Sequence, residues 1–327
     1  MLIIPLILLV LILVITSLFY MTSMPGKSYS GKFDSLTPVE AQIKEELHQY
    51  VVHLATHIGP RHLLRPEALT ATAEYLKDNL RRFGYTPIIQ NYTLESINCE
   101  NIIAEIKGTA SPEEVIIIGA HYDSVMLDCP GANDNGSGVA AVLVLSRLFF
   151  GRETSKTLRF VFFVNEEPPF FLSRKMGSFH YAKALKRKKE KVSAMFSIET
   201  IGYYSDKQNS QKYPFPFGLF YPNAGNFIGF VGNISSRALV LKTLKTFRET
   251  THFPSEGGSI PSWVPGVAWS DHWAFWKQGY PAIMITDTAP YRYPFYHTSD
   301  DTPDKIYFDH MTKVVMGLEK VINEIIS

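Results

Sequence analysis

Histidine and acidic side chains directly follow three apolar runs of the sequence. His121 and Asp123 come after VIIIGA, a Glu166-Glu167 pair comes after FVFFVN, and Glu199 comes after AMFSI. Imidazole and carboxylate groups without thiolate suit zinc, manganese or cobalt. A His-x-Asp or a Glu-Glu alone is commonplace, whereas three apolar runs that end in this way form a more specific pattern. The sequence therefore predicts a metal site built from histidine and carboxylate ligands.

Three further motifs complete the candidate set. The run ANDNGSG at 132–138 precedes a predicted helix and places Asp134 beside its N-terminus, where a carboxylate is favoured. The run YHTSDDT at 296–302 contributes Tyr296 and His297, and Asp271 and His272 open another predicted helix as a supporting pair. Two divalent ions about 3.5–4 Å apart need a bridging carboxylate, as two-metal hydrolases show. The candidate ligands are sufficient for such a pair of ions, and one further glutamate remains beside them.

The apolar runs are predicted to be strands that alternate with helices. Candidate strands lie at 86–93, 101–107, 114–120, 158–165, 193–198 and 281–286, and candidate helices at 37–57, 66–83, 138–150, 176–189, 236–250, 270–277 and 309–325. This alternation predicts an α/β fold, a mainly parallel mixed central β-sheet sandwiched between α-helices. Ligands of such sheets bind at the carboxyl ends of the strands, near a switch point. The candidate ligands are therefore expected at one edge of the sheet.

Composition excludes several classes of protein. Hydrophobic residues make up 46% of the 327 residues and charged residues 19%, which excludes a disordered or collagen-like chain. A net charge of +1 gives no basic field for nucleic acid. Two cysteines are too few for a disulfide scaffold or a cysteine-based zinc module.

The first 20 residues carry no charged side chain. At about 1.5 Å per residue they span roughly 30 Å, the thickness of the hydrocarbon core of a bilayer. A basic stretch before them and a good cleavage site after them are both missing, so an uncleaved membrane anchor is predicted rather than a signal peptide. The predicted organisation is a transmembrane anchor at 1–22, a tether at 23–36 and a catalytic domain at 37–327.

The sequence resembles the co-catalytic two-zinc aminopeptidase family, which also includes the glutaminyl cyclases and the ectodomains of glutamate carboxypeptidase and the transferrin receptor. The resemblance covers nearly all of residues 38–327. It rests on motifs that occur in the family's order: IGPR at 58–61, NIIA at 101–104, GAHYDS at 119–124, PGANDNGSG at 130–138, NEE at 165–167, ETIGY at 199–203, SDHWAF at 270–275 and YHTSDDT at 296–302.

The resemblance implies a role for each matched residue. His121 and Glu199 would bind one zinc ion, Glu167 and His297 the other, and Asp134 would bridge the two. It implies further that Asp123 orients His121, and that Asp271 and His272 give outer support. Glu166 corresponds to the general base and Tyr296 to the group that stabilises the oxyanion. The implied reaction is hydrolysis of the peptide bond after a free N-terminal residue.

Two departures from the family pattern bear on the site. An apolar, proline-stiffened insertion at 168–175 follows the Glu pair and is placed to line the substrate pocket. Glu199 stands where many relatives carry Asp, which changes reach by one methylene but not the type of ligand. If neighbouring strands bring them together, Cys99 and Cys129 are expected to form a disulfide at the edge of the site.

The side of the membrane on which the catalytic domain lies stays open, and so do two other functions. Lys27 and Lys32 weakly favour a cytoplasmic C-terminal portion, whereas a disulfide would favour an extracytoplasmic one. A glutaminyl cyclase shares the scaffold, although cyclases generally carry Trp where Tyr296 stands and lack NDNGSG. A non-catalytic binding ectodomain is the third reading, although that branch has lost metal ligands. The peptidase is the favoured interpretation, with peptides as substrates.

Overall fold

Eight strands form one mixed sheet in this computed structural model, which describes residues 3–326. The strands are β1 (Ile88–Leu94), β2 (Ile97–Ile106), β3 (Ser111–His121), β4 (Lys156–Phe163), β5 (Lys191–Glu199), β6 (Ile228–Gly232), β7 (Ser255–Ser259) and β8 (Ala282–Thr286). Their spatial order is β1-β2-β4-β3-β5-β8-β6-β7. The four central strands β4, β3, β5 and β8 are parallel to one another.

Helices cover both faces of the sheet. The α-helices of residues 3–326 are α1 (Ile3–Thr22), α2 (Pro38–Val52), α3 (Pro66–Phe83), α4 (Gly138–Phe149), α5 (Gly177–Arg187), α6 (Arg237–Thr250), α7 (His272–Lys277), α8 (Ala289–Arg292) and α9 (Phe308–Ile326). On β3, Ile116 and Ile118 pack into the core shared with α2, α3, α4, α6 and α9, whereas Ile117 packs into the core shared with α5 and α7. Because β3 is apolar on both faces, it is buried in the middle layer.

The switch point of the sheet lies at β3. The chain continues from β3 to β4 on one side and then to β5 on the other, and both strands are parallel to β3. The carboxyl ends of the three strands therefore meet at one edge, where His121 ends β3 and Glu199 ends β5. The fold class predicted from the sequence is confirmed.

Strands β6 and β7 lie within residues 203–267, which the sequence suggests to be a long loop region. Each is five residues long, and β7 has the sequence SEGGS. Glycine is unfavourable inside strands, and its abundance here gives the signal of a loop. The two strands are stabilised instead by their neighbours, since β6 pairs with β8 and β7 pairs with β6.

Helix α1 is long and apolar enough to cross a membrane, judged by its length and composition. The segment that joins it to α2 lies along the surface of α6 and β7. Arg248 donates through Nη1 to the Pro25 carbonyl at 2.9 Å, and Ser255 donates through its amide to Ser28 Oγ at 2.9 Å. This segment is therefore held against the domain at several points.

The expected disulfide between Cys99 and Cys129 is wrong, since both cysteines are free and buried. Cys99 lies on β2, whose sheet neighbours are β1 and β4, while Cys129 follows the end of β3. Strand β4 thus separates the strand of Cys99 from β3. The Cys99 thiol instead meets the Asn165 amide, with 3.1 Å between Sγ and Nδ2.

Thiol labelling is expected to follow this burial. In the folded protein neither thiol reacts readily, because both side chains are 1% exposed and burial raises the pKa of Cys129 to about 12. After unfolding in denaturant without reductant, two thiols per chain are expected to react with an iodoacetamide reagent, as counted by mass spectrometry. Labelling that requires prior reduction would contradict the two free thiols.

Candidate active site

Asp134 lies between two histidines at the carboxyl edge of the sheet. Its Oδ1 is 3.3 Å from His121 Nε2, and its Oδ2 is 3.1 Å from His297 Nε2. Asp134 belongs to a helical turn (Ala132–Ser137) that leads into α4, and its backbone there is not helical (φ −107°, ψ 94°). This conformation turns one carboxylate oxygen toward each imidazole.

Each histidine has a second carboxylate beside it. Glu199 Oε2 is 3.3 Å from His121 Nε2, and Glu167 Oε2 is 3.2 Å from His297 Nε2. The five side chains thus form two half-sites, and Asp134 belongs to both. All five come from different places in the chain, and the structure brings them together at the edge that the sequence indicates.

The cluster has the chemistry of a metal-binding site. Four of its buried atoms have no partner with hydrogen-bond geometry among residues 3–326: His121 Nε2, Asp134 Oδ1, Glu167 Oε1 and His297 Nε2. Unpaired polar atoms are costly to bury, so a group of them aimed at one point indicates a ligand. His121, Asp134 and Glu167 also offer ligand atoms that lie within 4.8 Å of one another. The donor set fits divalent cations.

Burial and charge shift the ionisation of the cluster. Burial and the neighbouring Asp134 carboxylate together raise the pKa of Glu167 to about 8, against the opposing effect of His297. Burial also raises the pKa of Glu166 well above its ordinary value, against the opposing effect of His121. For His121 burial favours the neutral form, but Glu199 and Glu166 outweigh it and raise the imidazole pKa. The buried carboxylates thus disfavour one another's ionisation, and the two histidines only partly offset this effect.

Glu166 is buried next to the two half-sites but belongs to neither of them. Its Oε2 is 3.9 Å from His121 Nε2, and the residue is 4% exposed. It lines the same cavity as Asp134, Glu167 and His297. This position leaves its carboxylate available for proton transfer to a molecule bound in the cavity.

Asp123 supports the loop that carries the two glutamates. Its Oδ1 accepts a hydrogen bond from the Glu166 amide and its Oδ2 accepts one from the Glu167 amide, both at 3.2 Å. His121 Nδ1 is 3.1 Å from the Asp123 carbonyl and 3.6 Å from its carboxylate. Asp123 therefore contacts both the imidazole and the turn after β4.

Asp271 and His272, a predicted supporting pair, are both buried beside the cluster. Burial raises the pKa of Asp271 to about 7 and lowers that of His272 to about 4. His272 Nε2 lies 2.8 Å from the Val267 carbonyl, so it bonds to the neighbouring loop. The direct contact to a candidate ligand comes from Ser270, whose hydroxyl donates to Glu199 Oε2 at 2.7 Å.

Asp301 is a supporting residue that sequence reasoning quoted within a motif but gave no role. Its Oδ1 accepts from the Asn133 amide at 2.8 Å, and its Oδ2 accepts from the Asp134 amide at 3.1 Å. Tyr293 also donates to Oδ1 through its hydroxyl, at 2.7 Å. The sequence signal for this role is the second aspartate of YHTSDDT, but the amides that bond to it can be identified only in the folded chain.

Arg61 is the second supporting residue that received no role from the sequence. It is fully buried, and its guanidinium donates to the carbonyls of Tyr122, Pro130 and Gly131. These carbonyls belong to the segments just after β3 and just before the turn of Asp134. Arg61 therefore fixes the path of the chain between His121 and Asp134.

Replacing Arg61 by alanine is expected to lower the free energy of unfolding by about 3–5 kcal/mol, because two buried carbonyls and one part-buried carbonyl lose their donor. Arg65→Ala is the matched control, since Arg65 is exposed and pairs only with exposed Asp128. That control should change the free energy by less than about 1 kcal/mol. Chemical unfolding followed by circular dichroism measures both, and equal effects would contradict the role of Arg61.

Tyr296 stands where two cavities meet. Four of the five half-site residues line one cavity, and a second cavity that more residues line, here called the larger cavity, adjoins this smaller one; Glu199, Trp269 and Tyr296 line both. Pro168 and Phe171 of the 168–175 insertion line the smaller one. The larger cavity is mostly apolar and includes Tyr213, Phe217, Tyr221, Phe227, Ile260, Val264, Val267 and Met284.

A three-layer α/β fold with a buried histidine–carboxylate cluster at its switch point defines a metal-dependent hydrolase. The chain belongs to peptidase family M28, whose sequence model matches residues 101–321. The predicted family, and with it the predicted enzyme class of metallopeptidase, is confirmed.

Similar sequences include one of nearly the same length. An uncharacterized protein of Escherichia coli, YfbL, is 36% identical over 282 residues, covering 84% of this chain and 86% of that protein. A probable leucine aminopeptidase of Trichophyton verrucosum is 32% identical over 235 residues, covering 66% of this chain and 55% of its own length. A probable aminopeptidase of Saccharomyces cerevisiae is 26% identical, with 67% and 56% covered. The chain thus spans about half the length of these fungal relatives.

Solved structures share the fold at lower identity. A zinc aminopeptidase from Bacillus subtilis superposes with a TM-score of 0.70 at 14% identity, over 87% of this chain and 95% of that one. A glutaminyl cyclase from Fimbriiglobus ruber gives a TM-score of 0.65 at 20% identity, over 92% and 99%. The fold is therefore common to peptidases and cyclases, and the choice between the two activities depends on the site.

Proposed function

We propose that this protein is a zinc aminopeptidase that removes the N-terminal residue of peptides. The observation that carries the proposal is the position of Asp134, which offers one carboxylate oxygen to each of two histidine–glutamate half-sites. A shared carboxylate of this kind is what a two-metal hydrolase needs. The family membership and the aminopeptidase relatives support the same activity.

His121 and Glu199 would hold one divalent ion, and Glu167 and His297 the second, with Asp134 shared between them. Asp134, Glu166, Glu167 and Glu199 would together carry four negative charges when ionised, which two divalent ions would neutralise. Bound ions of this type supply Lewis acidity toward a carbonyl oxygen and a water molecule. Zinc suits a donor set of imidazole and carboxylate groups.

Glu166 is proposed as the general base. Its buried carboxylate faces the cavity beside His121, where it can take a proton from the attacking water and pass it to the departing amine. Tyr296 lines the same cavity and is proposed to donate a hydrogen bond to the oxygen of the tetrahedral carbon. Asp123, Asp271 and His272 are proposed to hold the surrounding groups in place.

The larger cavity is proposed to receive the side chain of the residue that is removed. It adjoins Glu199 and Tyr296, and its walls are largely aromatic and aliphatic. An apolar pocket of this kind discriminates by buried apolar area, so a large apolar N-terminal residue is expected to be preferred over a small or acidic one.

The activity is tested on the full chain in detergent with added zinc. Free-amine peptides beginning with Leu, Phe, Ala, Glu or Gln are incubated together with N-acetylated copies of each, and products are read by mass spectrometry. Stepwise loss of N-terminal residues from the free-amine peptides alone, fastest for Leu and Phe, is expected. Loss of ammonia from the Gln peptides alone would make the protein a cyclase. An unchanged mixture with zinc bound would favour a binding role.

We further propose that α1 anchors the protein in a membrane, with residues 1–22 as the anchor, 23–36 as the connecting segment and 37–327 as the catalytic domain. The support is the length and apolar composition of α1. The expected extracytoplasmic location of the catalytic domain loses its support, because free Cys99 and Cys129 remove the disulfide that favoured it.

A further inference from the structure

Two loops of the domain expose large apolar side chains to solvent. Phe215 and Leu219, in the loop at 213–220, are 92% and 78% exposed, and Trp263, in the loop at 261–269, is 81% exposed. Single exposed apolar residues are normal on protein surfaces, but a group of them marks an interaction site. We refer to residues 213–220 and 261–269 as the apolar loops.

The apolar loops pack against the base of α1. Leu18 of α1 packs on a small buried cluster that includes Phe217 and Val264, one from each loop. The loop tips are close neighbours of these two residues in sequence. The apolar loops and the last turns of α1 therefore form one continuous surface.

Polar contacts fix α1 on the domain at the same place. The Arg237 guanidinium lies 4.2 Å from the centre of the Tyr20 ring, and its Nη2 donates to the Ser23 carbonyl at 3.0 Å. Residues 3–17 of α1, by contrast, are all exposed. The helix thus projects from the domain and is held only at its C-terminal end.

This geometry sets the depth of the loops if α1 crosses a bilayer. Residues 3–20 of α1 carry no charged side chain and are about 27 Å long at 1.5 Å per residue. They therefore nearly fill a hydrocarbon core of about 30 Å. Leu18 then lies near the end of that core. Side chains that pack on Leu18 must lie at the boundary between hydrocarbon and headgroups, where tryptophan and other aromatic residues are favoured.

We propose that the apolar loops are a second membrane-contact surface, and that their occupant is the lipid bilayer in which α1 is anchored. The proposal rests on the proposed anchoring. Their charge agrees with it, since residues 213–220 and 261–269 contain no charged residue and Lys212 directly precedes the first loop. Because Phe217, Val264 and Trp269 also line the larger cavity, the substrate pocket is placed next to the bilayer surface.

Spin labels on the full chain in phosphatidylcholine–phosphatidylglycerol vesicles test the proposal. Single cysteines replace Leu219 in an apolar loop, Leu9 in α1 and Ile88 on β1. Ile88 is the matched control, because it is an exposed apolar residue at the sheet edge opposite β7, the strand that α1 contacts. The natural cysteines are buried, so the label attaches to the introduced thiol. Collision rates with oxygen and with a water-soluble nickel complex report the depth of each label.

Labels at 219 and 9 are expected to collide several-fold more with oxygen than with the nickel complex, and the label at 88 to show the reverse. A lipid-exposed label at 9 together with a water-exposed label at 219 overturns the loop contact and leaves the anchor intact. A water-exposed label at 9 overturns the anchor and the loop contact with it. Neither result bears on the proposed peptidase activity, which is measured separately in detergent.

A second measurement uses the natural tryptophan. Brominated lipids quench tryptophans at the bilayer boundary, so a fraction of the fluorescence of the full chain is expected to be lost in brominated vesicles. Trp263→Phe is expected to lower that quenched fraction, whereas Trp273→Phe, a substitution of a half-buried residue of α7 that packs on Phe179 of α5, is expected to leave it unchanged. Equal quenching in both variants would overturn the contact at Trp263.

Discussion

Replacing Glu166 by glutamine is expected to reduce kcat by about 10²–10⁴-fold while the zinc content stays unchanged. The reason is that the amide keeps the size of the side chain but cannot take up a proton. Glu166 lies 3.9 Å from His121 Nε2, outside the 3.1–3.3 Å contacts that join the proposed ligands. Steady-state kinetics on a leucine peptide and atomic absorption of the purified protein measure the two quantities.

The control for this prediction is Glu153→Gln, the same chemical change at an exposed residue before β4. It is expected to keep normal turnover. Near-normal turnover of Glu166→Gln would remove Glu166 from the mechanism. Loss of zinc from that variant would show instead that Glu166 is a ligand.

Replacing Asp134 by alanine is expected to remove both the metal and the activity. Asp134 contacts both histidines, at 3.3 Å and 3.1 Å, so each half-site loses a ligand in a single substitution. Zinc that binds the folded protein raises its melting temperature, because a ligand at 1,000 times its Kd stabilises the folded state by about 4 kcal/mol. That rise is expected in the unmodified chain and absent in the variant.

Asp128→Ala is the control for Asp134→Ala, because Asp128 is an exposed aspartate in the preceding loop. It should keep the zinc-dependent rise in melting temperature. Retention of two zinc ions per chain by Asp134→Ala would contradict the proposed bridging role. Loss of one ion with the other retained would reduce Asp134 to a ligand of a single half-site.

The sheet and the place of the site were predictable because the signal is local. Each central strand is a short apolar run, and the residue types that follow it mark its carboxyl end. Parallel strands then bring His121, Glu166 and Glu199 to one edge without further information. The family motifs added the pairing of ligands, which strand positions alone leave open.

The supporting contacts were not predictable because they join distant parts of the chain. Arg61 bonds to carbonyls 61–70 residues away, and nothing in its own neighbourhood indicates them. The disulfide prediction failed for a related reason, since the strand order that places β4 between β2 and β3 is a property of the whole sheet. Strands β6 and β7 were missed because glycine hides short strands that their neighbours stabilise.

The Asp134 amide donates a hydrogen bond to Asp301, and this bond affects when the site can form during protein synthesis. The two residues are 167 positions apart, and His297 lies 98 to 176 positions after the other proposed ligands. A nascent chain that has left the ribosome only as far as α8 contains all eight strands but lacks one histidine of the cluster and the carboxylate that fixes the Asp134 turn. The complete cluster therefore forms only when the last tenth of the chain has been made, after all eight strands.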